Sequence, residues 1–432
     1  MATNEAWPAQ LGPVICVVGA RPNFMKMAPI LRAFATHRPS LPTLLVHTGQ
    51  HYDRDMNDRL FDDLRLPHPD INLEVGSGTH ALQTAEVMRR FEPVLDAQQP
   101  SCVLVVGDVN STLACALVCA KKSVPVVHVE AGLRSYDRAM PEEINRVLTD
   151  QVADRLYTTE RSAHANLARE GVAEERVCFV GNVMIDSLLS NREFARPAAK
   201  TLQMAGFDPA VVDDPRGYGV VTLHRPSNVD REENLAPLLA VLREVSDQVP
   251  LIFALHPRTR ANIDRFSLGE LLASQRIVLL PPQGYLEMLG LLAGAKLVLS
   301  DSGGLQEETT ALGVPCLTIR ENTERPITVE QGTNTLVGCD PCAIRIGVNE
   351  ILAGAGKTGR VPEFWDGRAA ERIAADLFQW LIAHHAQRSC EKPRATRDAH
   401  SADDQCIDHR CRGLFPGLGA RSVYSAESVG AT

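Results

Sequence analysis

The sequence alternates short apolar segments, rich in β-branched residues, with longer segments of helical periodicity. Apolar runs that are bounded by turn residues and separated by helical segments are typical of parallel strands buried on both faces. Each half of the chain contains six such runs: VICVVGA, TLLVHTG, CVLVVGD, VPVVHVEA, RLYTT and RVCFVG, then YGVVTLH, VPLIFALHP, RIVLLPP, KLVLSDSG, VPCLTI and NTLVG. The pattern predicts an α/β protein with two doubly wound, Rossmann-type domains.

Pro, Asp and Gly residues interrupt this pattern near 185–217. We predict an N-terminal Rossmann-like domain over 1–186 and a C-terminal one over 187–366. The segment AAERIAADLFQWLIAHH predicts one amphipathic helix within a C-terminal element at 367–385. Residues 386–432 are polar and lack sustained periodicity, which predicts a mostly disordered tail.

Composition argues against several classes of protein. A net charge of −9 argues against a nucleic-acid binder, which needs a basic face. No apolar run reaches the roughly 18 residues of a membrane span, and no basic segment precedes an apolar stretch at the N-terminus, as a signal peptide would require. The eleven cysteines have no regular spacing, and several lie in apolar runs, which favours buried free thiols. We expect a soluble cytoplasmic protein.

Polar side chains follow many of the predicted strands, where a packed core would not accept them. A single Asp or His at a strand end is more often a cap or a turn than a site. Several at once favour a ligand site between the domains, because the carboxyl ends of parallel strands surround the ligand in doubly wound folds. The residues concerned are Asp108, Glu130, His224, Arg225, His256, Arg258 and Asp301.

Two segments suggest a diphosphate site. In LSDSGGLQEE a strand leads into Ser302, Gly303 and Gly304, and a helix follows, so backbone N–H groups at its start could bind phosphate. The alternative is a tight turn that uses glycine for its backbone freedom. In GARPNFMK the first strand leads to Arg21 and Lys26 in place of a dinucleotide-binding glycine repeat. Cations on one wall and a helix N-terminus on the other would suit a diphosphate.

A third segment, MPEEINRVLTDQVADRL, begins with Pro141 and then Glu142, which suit the first turn of a helix. Capping carboxylates are one interpretation. A cluster with Asp108 and Glu130 is the other, because clustered carboxylates can divide into an acid and a base. The sequence has no Walker lysine motif, metal-ligand spacing or nucleophile elbow. Carboxylates, a histidine and a diphosphate site indicate proton transfer coupled to departure of the diphosphate.

Nine motifs, spread over 19–338, together resemble the non-hydrolysing UDP-N-acetylglucosamine 2-epimerase family: GARPNFMK, HTGQHYD, GDVNST, HVEAGLRS, PEEINR, TLHRPSN, DSGGLQEE, LGVPCLTIRENTERP and EQGTNTLVG. The resemblance implies a GT-B-like fold and reversible conversion of UDP-N-acetylglucosamine to UDP-N-acetylmannosamine. UDP would leave and add back through 2-acetamidoglucal, with no metal or other cofactor. It also implies a homodimer that supplies a precursor for cell-surface polysaccharide.

The resemblance assigns roles to individual residues. Asp108, Glu130 and Glu142 match the family's essential carboxylates, and His224 matches its essential histidine near the diphosphate. Which carboxylate is base and which is acid stays open. The substrate-binding matches are the cations Arg21 and Lys26, the phosphate loop Ser302, Gly303 and Gly304, the ribose-binding Glu308, the substrate contacts Gln283 and Arg325, and Met288 at the aromatic position of the uracil pocket.

The chain also departs from the family pattern. Asn23 stands where many members have Glu, HRPS replaces HRRE, and TERPI replaces TERPE. These changes mark a subgroup of the family. The activation by substrate that some members show does not automatically extend to this subgroup. A related UDP-sugar could also be its preferred substrate. Three alternative functions also remain: a hydrolysing epimerase, a glycosyltransferase on the same scaffold, and a UDP-sugar sensor without catalysis.

Overall fold

The computed structural model describes residues 7–8, 10–49, 61 and 63–391, with side chains up to residue 387. All twelve predicted strands are confirmed in this part of the chain, and they form two separate parallel sheets. A thirteenth strand, Ile71–Asn72, was not predicted, because two residues are too few for a hydrophobic pattern. Part of the HTGQHYD motif (50–53) and most of the predicted tail (392–432) lie outside the described residues.

The first sheet has seven strands in the order β3-β2-β1-β4-β5-β6-β7. In chain order they are β1 Val14–Val18, β2 Thr43–His47, β3 Ile71–Asn72, β4 Cys102–Val106, β5 Val126–Ala131, β6 Arg155–Thr158 and β7 Val177–Phe179. The accompanying helices are α1 Arg21–Thr36, α2 His80–Gln98, α3 Asn110–Lys121, α4 Pro141–Val152, α5 Arg161–Arg169 and α6 Val183–Asn191, whereas the next helix, α7 Ala198–Met204, packs on the core of the second sheet. Strands β1, β4 and β5 are buried along their whole length, as parallel strands covered by helices on both faces should be.

The second sheet has six strands in the order β10-β9-β8-β11-β12-β13. They are β8 Gly219–Thr222, β9 Leu251–Ala254, β10 Ile277–Leu280, β11 Leu297–Ser300, β12 Cys316–Thr318 and β13 Asn334–Leu336. Its helices are α8 Pro226–Val229, α9 Glu232–Ser246, α10 Pro257–Arg265, α11 Tyr285–Ala293, α12 Gly303–Leu312, α13 Pro326–Glu330 and α14 Pro341–Leu352. Both sheets therefore have the doubly wound order that the sequence pattern predicts.

The first helix contains two prolines and is still continuous. Pro22 lies in its first turn, where a missing N–H costs nothing. Pro29 lies in its interior, so the sequence allowed either a second helix or a kink. One helix runs from Arg21 to Thr36, with its apolar side chains packed in the core of the first domain.

The C-terminal helix α15, Ala369–Glu391, packs on the first domain although the second domain precedes it in the chain. It begins at the predicted residue and continues six residues beyond the predicted end at 385. Asp186 accepts hydrogen bonds from Ala369 N and Ala370 N, 3.1 and 2.7 Å away, and so caps the helix. None of the helices in the described ranges could cross a membrane.

Helix α6 lies between the two halves of the chain, because it packs against α1 on one side and α12 on the other. Asn182, its N-cap residue, donates a hydrogen bond to Glu307 Oε1 of α12 over 2.8 Å. The domain boundary predicted between 186 and 187 falls within this helix and stays a prediction.

Candidate active site

The predicted site residues follow strands at the point where the strand order of each sheet reverses. In the first sheet β1 and β4 are neighbours, and Asp108 follows β4 while Glu130 lies near the end of β5. In the second sheet β8 and β11 are neighbours, and His224 follows β8 while Asp301 follows β11. Such a reversal leaves a crevice at the carboxyl ends of the strands, which is the usual ligand site in doubly wound folds.

A chain of buried ion pairs joins the two domains. Lys26 Nζ lies 2.5 Å from Glu130 Oε2, and Arg325 Nη2 lies 3.2 Å from Glu130 Oε1. All three side chains are less than 10% exposed. Lys26 and Glu130 belong to the first domain and Arg325 to the second, so one carboxylate is held by a cation from each side.

Glu130 has a strained backbone, with a φ of 70° that L-amino acids rarely adopt. The pairing of β5 with β6 also shifts register between Val129 and Ala131, which makes Glu130 the extra residue of a β-bulge. Bulges re-aim a side chain, and strained residues concentrate at functional sites. The bulge accounts for how a carboxylate in a buried strand comes to face Lys26 and Arg325.

Asp108 forms an ion pair with Arg146 of α4, whose Nη2 is 2.5 Å from its Oδ2. Arg146 Nη1 also lies 2.8 Å from Glu143 Oε2, so one guanidinium bridges two carboxylates. Burial alone would raise the pKa of Asp108, but nearby cations, Arg146 first among them, outweigh it and leave the pKa below the ordinary value. Asp108 is therefore ionised at neutral pH.

Arg325 also meets two carboxylates of its own domain. Its Nε is 3.0 Å from Glu307 Oε1, and its Nη1 forms a close ion pair with Glu324. Arg320 pairs with the other oxygen of Glu324 at 2.8 Å. A Cβ on Gly303 would lie 2.7 Å from Glu324 Oε1 and 2.8 Å from Arg325 Nη1. Glycine at this position lets the guanidinium reach across the start of α12.

His224 is fixed by Asp301, a fully buried carboxylate. His224 Nδ1 lies 2.8 Å from Asp301 Oδ1, and Asp301 also accepts hydrogen bonds from the backbone N–H groups of His224 and Arg225. With Nδ1 donating to the carboxylate, Nε2 is the ring atom left for a ligand. The His224 side chain is 36% exposed, which leaves it accessible from the crevice.

The predicted phosphate loop opens helix α12. Ser302 is the N-cap residue, and its side chain makes no capping hydrogen bond. A Cβ on Gly304 would meet only the Met184 side chain at 3.8 Å, so the protein itself does not require glycine there. Bare backbone N–H groups at a helix start are suited to an anion.

Arg21 approaches the second domain at another point. Its Nη2 donates to the backbone carbonyl of Gln283 over 3.4 Å, whereas the Gln283 amide turns to the carbonyl of Pro281. Burial, reinforced by the Glu307 carboxylate, raises the pKa of Glu308 to about 7, although Arg21 opposes the rise. Glu308 therefore changes charge near neutral pH.

Glu142 and Met288 lie apart from these ion pairs. Glu142 is in the first turn of α4, one turn before Arg146, and is half-buried. Met288 on α11 is partly buried against the core of the second sheet, beside Tyr218 and Leu292. Their predicted roles, like those of the other site residues, stay predictions.

Sequence reasoning missed three charged residues that hold the site together: Arg146, Glu307 and Glu324. Each lies inside a motif already singled out, but a motif does not reveal which of its charges meet. Among the described residues, no group of three or more His, Cys, Asp or Glu side chains could hold a metal ion.

Comparisons with known proteins agree with this architecture. The family model described as UDP-N-acetylglucosamine 2-epimerase matches residues 34–377. The UDP-N-acetylglucosamine 2-epimerase of Methanocaldococcus jannaschii is 42% identical over 84% of this chain and 97% of its own length. The UDP-2,3-diacetamido-2,3-dideoxy-D-glucuronate 2-epimerase of Pseudomonas aeruginosa is 39% identical over 84% of this chain and 99% of its own.

A crystal structure of the Methanocaldococcus jannaschii enzyme, in complex with UDP-GlcNAc and UDP, matches with a TM-score of 0.77 and 41% identity. The match covers 85% of this chain and 99% of that one, so both sheets and the GT-B-like arrangement are shared. Sequence and fold lead to the same assignment: this chain belongs to the UDP-N-acetylglucosamine 2-epimerase family.

Proposed function

We propose that this protein is a non-hydrolysing epimerase that interconverts UDP-N-acetylglucosamine and UDP-N-acetylmannosamine. The observation that carries the proposal is the ion-pair chain in which Lys26, Glu130 and Arg325 join the two domains beside Asp108. It brings two carboxylates and three cations, the third being Arg146, to the strand ends where a nucleotide-sugar would bind.

The reaction begins with removal of the proton from C2 of the sugar by a carboxylate. The C–H electron pair forms a C1=C2 double bond, the C1–O bond breaks, and UDP leaves with the electron pair of the C1–O bond. The C2 proton is weakly acidic, so removal depends on stabilising the charge that develops on UDP. The groups suited to that task are Lys26, Arg21, the N–H groups at the start of α12 and His224 Nε2.

The return step reverses the electron flow on the opposite face. A UDP oxygen attacks C1 of 2-acetamidoglucal, and a second acid delivers a proton to C2, which inverts that carbon. Two groups on opposite faces are needed, and Asp108, Glu130 and Glu142 are the candidates. Because its pKa is lowered, Asp108 is ionised in the ligand-free site and is suited to accept a proton first.

Two buried polar atoms support a ligand at this place. Glu308 Oε1 and Arg225 Nε have no hydrogen-bond partner among the described residues. Buried polar groups are normally paired, so both atoms are ready to meet a ligand or water. We propose that Glu308 accepts hydrogen bonds from the ribose and that Arg225 meets the diphosphate.

The decisive experiment is an NMR time course of UDP-N-acetylglucosamine with the enzyme in deuterium oxide. We expect UDP-N-acetylmannosamine to accumulate to an equilibrium mixture while both sugars gain deuterium at C2. Free N-acetylmannosamine with released UDP would indicate the hydrolysing reaction. Transfer to an acceptor without C2 exchange would indicate a glycosyltransferase, and binding without turnover would indicate a sensor.

A second candidate substrate follows from the Pseudomonas aeruginosa relative, which acts on UDP-2,3-diacetamido-2,3-dideoxy-D-glucuronate and is 39% identical. Running the time course with each nucleotide-sugar alone, and then with both in competition, compares their kcat/KM values directly. A higher kcat/KM for the uronate would assign the chain to that reaction.

We also propose a homodimer formed through the first domain. Leu82, Tyr136 and Leu148 are exposed apolar side chains of that domain, with 63, 67 and 45% exposure. Light scattering after size-exclusion chromatography should give twice the chain mass of 47.1 kDa. A cytoplasmic location stays a prediction.

A further inference from the structure

Three consecutive backbone carbonyls at the end of β4 each accept a hydrogen bond from a side chain. Asn23 Nδ2 donates to Val106 O over 2.8 Å, and Asn145 Nδ2 donates to Asp108 O over 2.9 Å. Between them, His128 Nε2 lies 2.8 Å from Gly107 O. The turn that carries the Asp108 carboxylate is therefore fixed by side chains from other elements.

His128 lies on β5, is fully buried and has an acceptor at each ring nitrogen. Its Nδ1 is 2.6 Å from Asp150 Oδ1, and its Nε2 faces the Gly107 carbonyl. A carbonyl oxygen can only accept. Asp150 already accepts a hydrogen bond from Gly132 N and pairs with Arg134 Nη2 on its other oxygen, so it is placed as an acceptor here as well. Each ring nitrogen of His128 therefore faces an acceptor, which suits a ring that donates from both.

The second oxygen of Asp150 reaches the other catalytic turn. Asp150 Oδ2 accepts a hydrogen bond from Gly132 N over 3.0 Å, two residues after Glu130. Arg134 Nη2 lies 2.7 Å from the same oxygen and pairs with Glu170 on its other side. A continuous path of hydrogen bonds therefore runs from Gly107 O through His128 and Asp150 to Gly132 N.

We propose that the His128–Asp150 pair is a positioning device that fixes the spacing between the Asp108 turn and the Glu130 turn. The inference rests on the proposed epimerase reaction, in which both carboxylates are candidates for the proton transfers at C2. A neutral ring could hold only one of the two turns, because it has a single N–H. A buried charge is costly unless it is paired and hydrogen-bonded, and here both conditions are met.

The test replaces His128 by glutamine. The side-chain amide of His128→Gln can donate a hydrogen bond to Gly107 O or to Asp150. Its amide oxygen then faces the other of these two acceptors, and the two oxygens repel each other. We expect kcat for C2 epimerisation to fall about 100-fold, the usual effect of displacing a catalytic group by about 1 Å. Because most of the groups proposed to bind UDP lie in the second domain, away from His128, KM should change less than about threefold.

His37→Gln is the matched control. His37 lies in the same domain, directly after α1, and its Nδ1 lies 2.8 Å from Pro39 O in the turn that leads into β2. Its kcat should stay at the wild-type value. A folded His128→Gln enzyme with wild-type kcat would overturn the proposal, and so would equal losses of kcat in both variants. If wild-type enzyme itself fails to epimerise, the proposed function is wrong, which the same assay reveals separately.

A second measurement does not depend on the variant folding. Nitrogen-15 NMR of histidine-labelled wild-type enzyme reports the protonation of each ring, and the His128→Gln or His128→Asn spectrum identifies the signal among the thirteen histidines. We expect two protonated nitrogens on His128 at neutral pH. One protonated and one bare nitrogen would overturn the proposal, whatever the activity.

Discussion

At the scale of single residues, the protonation state of each carboxylate in the site is set by its burial and by the charges beside it. Arg146 holds the pKa of Asp108 below its ordinary value, while burial next to Glu307 raises the pKa of Glu308 to about 7. Two acidic side chains in one crevice therefore differ in charge near neutral pH, as carboxylates with different tasks do.

Replacing Asp108 by asparagine should stop C2 chemistry and leave UDP binding intact. The amide keeps the shape but cannot take a proton, so deuterium exchange at C2 should fall about 1,000-fold, within the usual range for a general base. Titration calorimetry with UDP checks that the site is still formed. Asp96→Asn, at an exposed ion pair with Lys122, is the control. Full exchange in both Asp108→Asn and Glu142→Gln would refute their assigned roles.

The raised pKa of Glu308 predicts that substrate affinity rises with pH. An ionised carboxylate accepts hydrogen bonds from ribose hydroxyls better than its protonated form, and its pKa of about 7 lies in the working range. If only the ionised form binds, the apparent Kd for UDP-N-acetylglucosamine should fall roughly tenfold from about pH 6 to about pH 8. Calorimetry at both pH values, with Glu308→Gln as a pH-independent control, measures this. An equal dependence in the variant would contradict it.

At the scale of elements, helix α15 ties the end of the chain to the first sheet. Arg155 Nη2 of β6 lies 2.5 Å from Asp376 Oδ1, and the hydroxyl of Tyr157 donates to Asp376 Oδ2 over 2.7 Å. Ile373, Leu377 and other apolar side chains of the helix pack in the first core. Removal of one carboxylate would leave two groups of the sheet without their partner.

Asp376→Ala should therefore lower the free energy of unfolding by about 2 kcal/mol, the usual cost of removing hydrogen bonds to a charged group. Urea denaturation followed by circular dichroism measures the change. The control Glu371→Ala removes an exposed carboxylate of the same helix that pairs with Arg368, which should cost less than about 0.5 kcal/mol. Among the described side chains, no hydrogen bond or ion pair links α15 to Lys26, Glu130 or Arg325, so kcat should be unchanged. Equal unfolding curves for the two variants would refute the docking role.

At the scale of the whole molecule, the two domains share one buried charge network. Arg325 of the second domain contacts Glu130 of the first and Glu307 and Glu324 of its own. The contact between the domains and the stability of each buried carboxylate therefore depend on one guanidinium.

Arg325→Met should destabilise the protein by about 3 kcal/mol or more, because three buried carboxylates lose a common cation. Calorimetric unfolding should show the lower stability. The value of kcat should also fall, because Glu130 keeps only Lys26 as a partner. Arg161→Met breaks an exposed pair with Glu363 and should leave the unfolding transition almost unchanged. Wild-type stability in Arg325→Met would show that the network adds nothing to the domain interface.

Much of the fold was predictable from the sequence because strand and helix periods are local. Most of the twelve longer strands carry an apolar run, whereas Ile71–Asn72 is too short to carry one. The six extra residues of α15 are polar or charged for the most part, so the amphipathic pattern ends before the helix does. Pro29 is tolerated inside α1, which local rules do not decide.

The site was predictable only in part. Residue type and position after a strand pointed to Asp108, Glu130 and His224, because strand ends converge in this class of fold. Their partners were not predictable, since Arg325 is 195 residues from Glu130 in the chain. Asn23, a departure from the family's usual Glu, donates its amide to the Val106 carbonyl, a bond that a carboxylate cannot make.

The sequence by itself determined the two doubly wound domains, the position of polar residues at strand ends and the family, because hydrophobic periodicity and motifs are written in consecutive residues. Only the tertiary structure decided which charged and polar groups meet: the pairing of Lys26 and Arg325 on Glu130, the bulge that re-aims it, and the placement of His128 between Gly107 and Asp150. The physical reason is the distance along the chain over which each kind of information acts. Periodicity acts over a few residues, whereas charge and protonation depend on groups that only folding brings within a few ångströms.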